Sequence, residues 1–389
     1  MSYPKIGIIT CWYKDKSSGK YAYHLSKSLD KLGVECSILS ANCLCYRDNP
    51  FDPELLFSPC KQIKFKDFYW VEGPKPVQYA RAVAEIVTEP WKGVKYLKNL
   101  PYPIIHYHQV QGSYGFLPLL SFLTYPSKAK RIVTVHEIDK IQTGLKVRSL
   151  NVTTTWLNRV YNKADAIVVM TRKMADLMVK FGVREEKINV IPYGTEIPAI
   201  EDFKRDQVIF CGGHHLTSGK GFDAFVKALT ILRARGFTPS ILIYGLNSEY
   251  GQEKGMRMVK DAGLWEQVKW FDYKDDEALF YEFQKSMFAV IPYTTSEVGA
   301  VVTAAMANAT PVIATRNSGL PEYLREYGLY IKENDPDDLA LTMLKVSKDS
   351  ILRKSIGSTL RKIALEEYSW DAIGEKTANL YQEISDGNL

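Results

Sequence analysis

The feature that most limits how this chain folds is a series of short, near-continuous apolar runs, each followed by a longer amphipathic stretch. KIGIIT, ECSILS, PIIHYHQ, RIVTVHE, AIVVM and INVIPYG fall in the first half; QVIFCGG, SILIYG, QVKWFDY, FAVIPY, PVIAT and GLYIK fall in the second. A run that is apolar at successive positions predicts a strand covered on both faces, as in a parallel sheet. The intervening stretches, such as YAYHLSKSLDKLG and FDAFVKALTILRARG, carry helical spacing, and the second ends on a C-capping glycine.

Strand–helix alternation with six strands in each half predicts an α/β chain built from two Rossmann-like domains. The 389 residues are enough for such domains to bury real cores. The loop YGTEIPAIEDFKRD (193–206) is polar, contains proline and follows a strand, so it marks the expected boundary. The segment from Cys43 to Pro101, rich in aromatics and lysines, fits the alternation poorly and reads as an elaboration of the first domain.

The N-terminus, MSYPKIGIIT, is strand-like and lacks the apolar core of a signal peptide. No run approaches the roughly 18 to 20 apolar residues of a membrane span. A cytoplasmic protein is therefore expected. Five of the six cysteines lie in the first sixty residues, but only Cys43 and Cys45 form a close pair, and nothing completes a zinc site. Buried thiols are the expected reading. The net charge of +6 is uneven: residues 1–196 hold 28 Lys and Arg against 17 Asp and Glu, and residues 197–389 hold 22 against 27. An excess of +11 on one half against −5 on the other suggests an anionic partner for the first.

In open parallel sheets, ligands bind beyond the carboxyl ends of strands. Four loops stand there: CWYKDKSSGK, HEIDK, CGGHHLTSGKG and YTTSEVG. All four would face one cleft if the two domains oppose each other. Ser18 and Gly19 start a helix after the first strand, with a spacing that matches neither G-x-G-x-x-G nor a P-loop. Gly19 serves either the close approach of a phosphate or sugar, or a plain turn. Gly213, His215 and Lys220 lie on a glycine- and hydroxyl-rich loop, where a lysine either neutralises a diphosphate or is simply solvated. His136 ends a buried strand and is either structural or catalytic. His106 and His108 alternate on a strand and share a face beside it. Ser296, Glu297, Gly299, Ala300 and Val301 open a helix so poor in side chains that a ligand could reach its backbone N–H groups, unless the small residues only give clearance against a sheet. Gly245 and Tyr273, after two other strands of that half, complete the substrate-binding set. Asp275 and Asp276 read as a helix start, not a metal site.

These segments together resemble glycosyltransferase family 4, whose members are retaining enzymes with the GT-B fold. The resemblance is carried by SSGKYAYHLSKSLDKLGVECSIL, VTVHEID, KADAIVVMTRKMADLMVKFGVREEKINVIPYGTE, SGKGFDAFVKAL, SEVGAVVTAAMANATPVIATRNSGLPEYL and YSWDAIGEKTANLYQEI. It implies two Rossmann-like domains, 1–196 on the acceptor side and 197–370 for the nucleotide sugar, with residues 371–389 returning to the first. Family members carry two glutamates eight positions apart around the donor-loop glycine. Alignment on Gly299 puts Ser296 and Ala304 there, with Glu297 displaced by one. Glu297 is then the expected contact for the donor sugar, while a ribose carboxylate is missing. The family's diphosphate-binding arginine is replaced most simply by His215, and Lys220 matches its lysine.

The resulting expectation is transfer of a hexose from a UDP- or GDP-linked nucleotide diphosphate sugar, with His136, Lys220 and Glu297 as the catalytic set. No cofactor and no metal are expected, since Lys220 and the helix dipole would stabilise the leaving diphosphate. Two other readings stay open: a non-catalytic subunit of the same fold, and a sugar-nucleotide epimerase. The expected acceptor is a sugar or an anionic, lipid-linked molecule. Basic and aromatic residues interleave from Lys61 to Lys98, which suits an anionic membrane surface and a peripheral place at the inner membrane face. Nucleic acid is not an expected partner.

Overall fold

The computed structural model describes residues 3–11, 17–41, 101–108, 123, 127–136, 159–212, 218–245, 249–271, 275–294 and 299–387. The chain divides into two compact units, Met1–Pro192 with Trp370–Leu389, and Tyr193–Ser369. Each holds one parallel sheet of six strands, and all twelve apolar runs are strands.

In the first unit the strands are β1 (Ile6–Cys11), β2 (Cys36–Ala41), β3 (Ile104–His108), β4 (Lys130–Val135), β5 (Ala166–Val169) and β6 (Ile188–Val190). Their order is β2-β1-β3-β4-β5-β6, so the direction of addition reverses between β1 and β3. The helix Ser17–Lys31 buries Tyr21, Leu25 and Leu29, a spacing of four that makes one apolar face. It stops at Gly33, whose φ of 78° is cheap only for glycine. The C-terminal helix Trp370–Ser385 packs on it. A Cβ on Gly374 would sit 2.0 Å from Ser28 Oγ, so the glycine is what lets the two helices approach. The exposed pair Lys31–Asp371, at 2.7 Å, adds little to that contact.

In the second unit the strands are β7 (Gln207–Cys211), β8 (Ser240–Tyr244), β9 (Val268–Phe271), β10 (Ser286–Ile291), β11 (Val312–Thr315) and β12 (Leu329–Ile331). Their order, β12-β11-β10-β7-β8-β9, reverses between β7 and β10. The reason these strands are apolar at successive positions is visible in the core. Val208 and Phe210 join one buried cluster, Ile209 and Cys211 another, because neighbouring side chains point to opposite faces. Phe225 and Phe288 cover one face, Phe283 and Ala305 the other, all fully buried. Each buried phenylalanine contributes about 1.5–3 kcal/mol of transfer free energy. The helix Phe222–Ala234 ends before Gly236, at φ 75°. Asp275 caps the helix Asp276–Lys285 by accepting from Ala278 N at 2.8 Å. This is the helix start expected of Asp275 and Asp276.

Candidate functional site

In the second unit, the reversal between β7 and β10 places two loops side by side at the carboxyl ends of neighbouring strands. The loop after β7 closes with the short turn Ser218–Lys220, then Gly221, then the helix Phe222–Ala234. The loop after β10 runs through Pro292, Tyr293 and Thr294. The two are fastened together. Thr294 N donates to Gly219 O at 2.9 Å, and the Thr294 hydroxyl reaches the same carbonyl at 3.4 Å. Gly221 is at φ 69°, and a Cβ there would meet Pro292 O at 2.4 Å. Only glycine fits that position.

Lys220 is set by this lock. Its Nζ stands 3.8 Å from the centroid of the Tyr293 ring, and Tyr293 is itself buried. The Thr315 hydroxyl donates to the Tyr293 carbonyl and holds the ring's backbone from β11. The lysine charge is therefore fixed in place at the sheet's switch point and is not a freely solvated surface charge. Beyond the same loop, Gly299 caps the helix Ala300–Ala307 at φ −86° and ψ 165°, offering no side-chain cap. Any residue adopts that backbone, and a Cβ on Gly299 would meet only Val301 Cγ2 at 3.9 Å among the described residues. Among the described residues, packing thus requires Gly221 but not Gly299. Val301 and Ala304 are buried in the core. The Ala304 methyl, where the resemblance led to the expectation of a ribose carboxylate, packs among apolar neighbours. Gly245, after β8, is at φ 130°, a conformation that itself calls for glycine.

In the first unit, the carboxyl ends of β3 and β4 carry a histidine ladder. His106 Nδ1 lies 2.7 Å from the Tyr381 hydroxyl, and its Nε2 lies 2.6 Å from Thr134 Oγ1. His108 Nδ1 lies 3.3 Å from His136 Nε2. The His106 and His108 rings sit 4.5 Å apart, on one strand face as their spacing predicted. Tyr21 flanks His108 at 5.1 Å and His136 at 5.2 Å, and Trp370 packs edge-on against Tyr21. Burial, reinforced by the neighbouring His136, holds His106 down at about 3. Burial alone brings His136 to about 4, and burial with both other rings puts His108 well below the usual histidine range. All three are neutral at pH 7. Gly19 is buried in the first turn of the helix Ser17–Lys31, and Ser18 lies in the same turn.

Gly213, His215, Tyr273, Ser296 and Glu297 lie outside the described residues, as does the segment Lys61–Lys98. The residues that sequence reasoning missed are Tyr293, Thr134, Tyr21 and Tyr381. Thr134 had a signal, since it sits two positions before His136 on the same strand face. Tyr381 had none, being 275 residues from its partner.

The fold is that of the GT-B proteins. Solved structures align over nearly the whole chain: sucrose-phosphate synthase from Thermosynechococcus elongatus at a TM-score of 0.75, with 17% identity over 99% of this chain and 100% of that one, and Anabaena HepE in complex with UDP and glucose at 0.72, with 14% identity over 98% and 100%. A family profile described as "Glycosyltransferase Family 4" matches residues 18–197, and one described as "Glycosyl transferases group 1" matches residues 195–363. The chain belongs to the family 4 (group 1) glycosyltransferases, retaining hexosyltransferases that use nucleotide-sugar donors. Among curated relatives, the MMP alpha-(1->4)-mannosyltransferase of Mycolicibacterium hassiacum is 20% identical over 94% of both chains. A D-inositol 3-phosphate glycosyltransferase of Corynebacterium jeikeium is 26% identical over 58% of this chain and 59% of its own. An uncharacterized glycosyltransferase of Methanocaldococcus jannaschii is 27% identical over 51% of this chain, a match that spans about half (49%) of that relative.

Proposed function

We propose that this protein moves a hexose, with retention, from a nucleotide diphosphate sugar whose diphosphate lies against Lys220 and the N-terminus of the helix Ala300–Ala307. The observation that carries the reading is the fixed position of Lys220 over Tyr293 at the switch point, beside a helix start whose glycine the packing does not require. Charge develops on the leaving diphosphate in such a transfer, and a fixed cation with backbone N–H groups stabilises it without reorganising. Lys220 is the main electrostatic group, Glu297 the contact for the sugar hydroxyls, and His136 a neutral partner of the same sugar. Ser18, Gly19, Gly213, Gly245, His215, Tyr273, Ser296, Ala300 and Val301 serve substrate binding. The charge on the diphosphate is met by the protein, so the reaction needs no metal. Activity should survive EDTA, and activity that vanishes in EDTA and returns with Mn²⁺ would overturn that part.

The acceptor is anionic and held by the first unit. Support comes from that half's +11 excess and from the phosphate in the name of the inositol phosphate relatives. A phosphate-bearing lipid at the inner membrane face is the version favoured by the Lys61–Lys98 composition. Among the described residues no helix is long and apolar enough to cross a membrane. Sedimentation with anionic and neutral liposomes at low and high salt tests it, and equal or absent binding to both would remove the membrane.

A second reading has an observation of its own: Ala304 puts a buried methyl where the ribose carboxylate would stand. That favours a subunit that binds without turnover. A panel of radiolabelled nucleotide sugars separates the readings. Transfer or hydrolysis to free sugar and nucleotide supports the transferase, epimerised nucleotide sugar an epimerase, and binding without product the inactive subunit.

A further inference from the structure

The histidine ladder determines where the protons sit. The Tyr381 hydroxyl is buried and has His106 Nδ1 at 2.7 Å; when it donates there, the His106 proton is on Nε2 and goes to Thr134 Oγ1. The next pair has two arrangements. If His136 Nε2 carried the proton and donated, neutral His108 would have to keep its own proton on Nε2. That atom is buried and has no hydrogen-bond partner among the described residues. An orphaned buried N–H is rarer and more costly than an orphaned lone pair. In the other arrangement His108 Nδ1–H donates to His136 Nε2, and only a lone pair on His108 Nε2 goes unmet.

We propose that His108 is a positioning residue that fixes His136 with its proton on Nδ1, so that His136 meets the sugar as a hydrogen-bond donor and not as a base. Its Nε2 lone pair is engaged by His108 and its Nδ1 is protonated. Neither nitrogen is left to take a proton from an acceptor hydroxyl. As a donor, His136 Nδ1–H can serve an acceptor oxygen such as that of a sugar hydroxyl. The consequence for catalysis rests on the reading of His136 as a sugar contact; the tautomer itself does not.

The test begins with the unmodified full-length protein, labelled with ¹⁵N-histidine, at neutral pH. Long-range ¹H–¹⁵N spectra distinguish Nδ1–H from Nε2–H rings, and six histidines are few enough to assign by single substitutions. The expected pattern is Nδ1–H for His108 and His136, and Nε2–H for His106. An Nε2–H or doubly protonated His136 would overturn the proposal, whether or not the protein proves to be an active transferase. The second arm compares His108→Asn, whose amide N–H replaces Nδ1–H, with His108→Leu, which has no donor. The asparagine variant should keep His136 in its Nδ1–H form and retain kcat within about threefold, whereas the leucine variant should lose the fixed tautomer and at least tenfold in kcat. Equal activity in both variants would count against His108 as the positioning group.

Discussion

The two units share a topology and differ in what they place at the ends of their strands. Each is a parallel six-stranded sheet whose order reverses beside its first strand. At that reversal the second unit holds a lysine on an aromatic face, and a small-residue helix follows in the chain after the loop of the neighbouring strand. The first unit holds three neutral histidines, two of them buried, linked to a tyrosine and a threonine. One arrangement supplies a fixed positive charge and suits an anion. The other supplies directed hydrogen bonds without charge and suits hydroxyl groups. The topology creates a place for a ligand in both cases; the side chains that end the strands decide which chemistry is met there.

The largest expected effect breaks the charged side of this comparison. Lys220→Ala should lower kcat/KM on the order of 10²–10³-fold, the range seen when one electrostatic stabiliser is removed. Thermal unfolding should change little, because a half-buried ammonium over one aromatic ring contributes only about 1 kcal/mol. Unchanged kcat/KM in a folded variant would show that the charge is not used.

Acid addresses the uncharged side. His106 and His136 are held at about 3 and about 4, against an ordinary value of 6.5. Both folded values lie below the unfolded one, so the unfolded chain binds more protons and stability falls as pH drops below 6.5. Each ring contributes a loss of roughly 2 kcal/mol by pH 5. Urea unfolding at pH 7.5, 6 and 5, followed by a probe in the first unit, checks it. A midpoint that stays constant across that window would contradict the neutral ladder.

Gly221→Ala joins stability to function within the second unit. The new Cβ meets Pro292 O at 2.4 Å on a backbone at φ 69°, so a loss of about 1–3 kcal/mol is expected. Lys220 should be displaced with it, lowering kcat/KM beyond the stability change. Gly299→Ala makes the control: it should fold normally and weaken donor binding. Equal effects of both on unfolding would deny the distinction between a glycine needed by packing and one needed for ligand access.

The smallest effect sharpens the first unit. Tyr381→Phe removes the hydroxyl beside His106 Nδ1 and should cost about 1–2 kcal/mol of stability. Nucleotide affinity, measured by calorimetry, should stay unchanged, since the proposed diphosphate site belongs to the other unit. A loss of nucleotide binding in this variant would show that the two chemistries are not separable.

The sequence by itself determined the strands. A run such as QVIF must place Val208 and Phe210 on one face and Ile209 on the other, and being apolar throughout it has to be buried on both. Helix ends at Gly33 and Gly236 and the cap at Asp275 were legible for the same local reason, since they depend on backbone angles and near neighbours. The shared face of His106 and His108 follows from strand pleat alone. What pairs with them does not. Tyr381 arrives on the last helix because Gly374 admits it against Ser28, and Lys220 finds Tyr293 because β7 and β10 are neighbours, which brings Thr294 to Gly219 across 75 residues of chain. Periodicity reports which face a side chain takes; only the packing of distant elements decides what waits on that face, and with it the tautomer and the charge that the site presents.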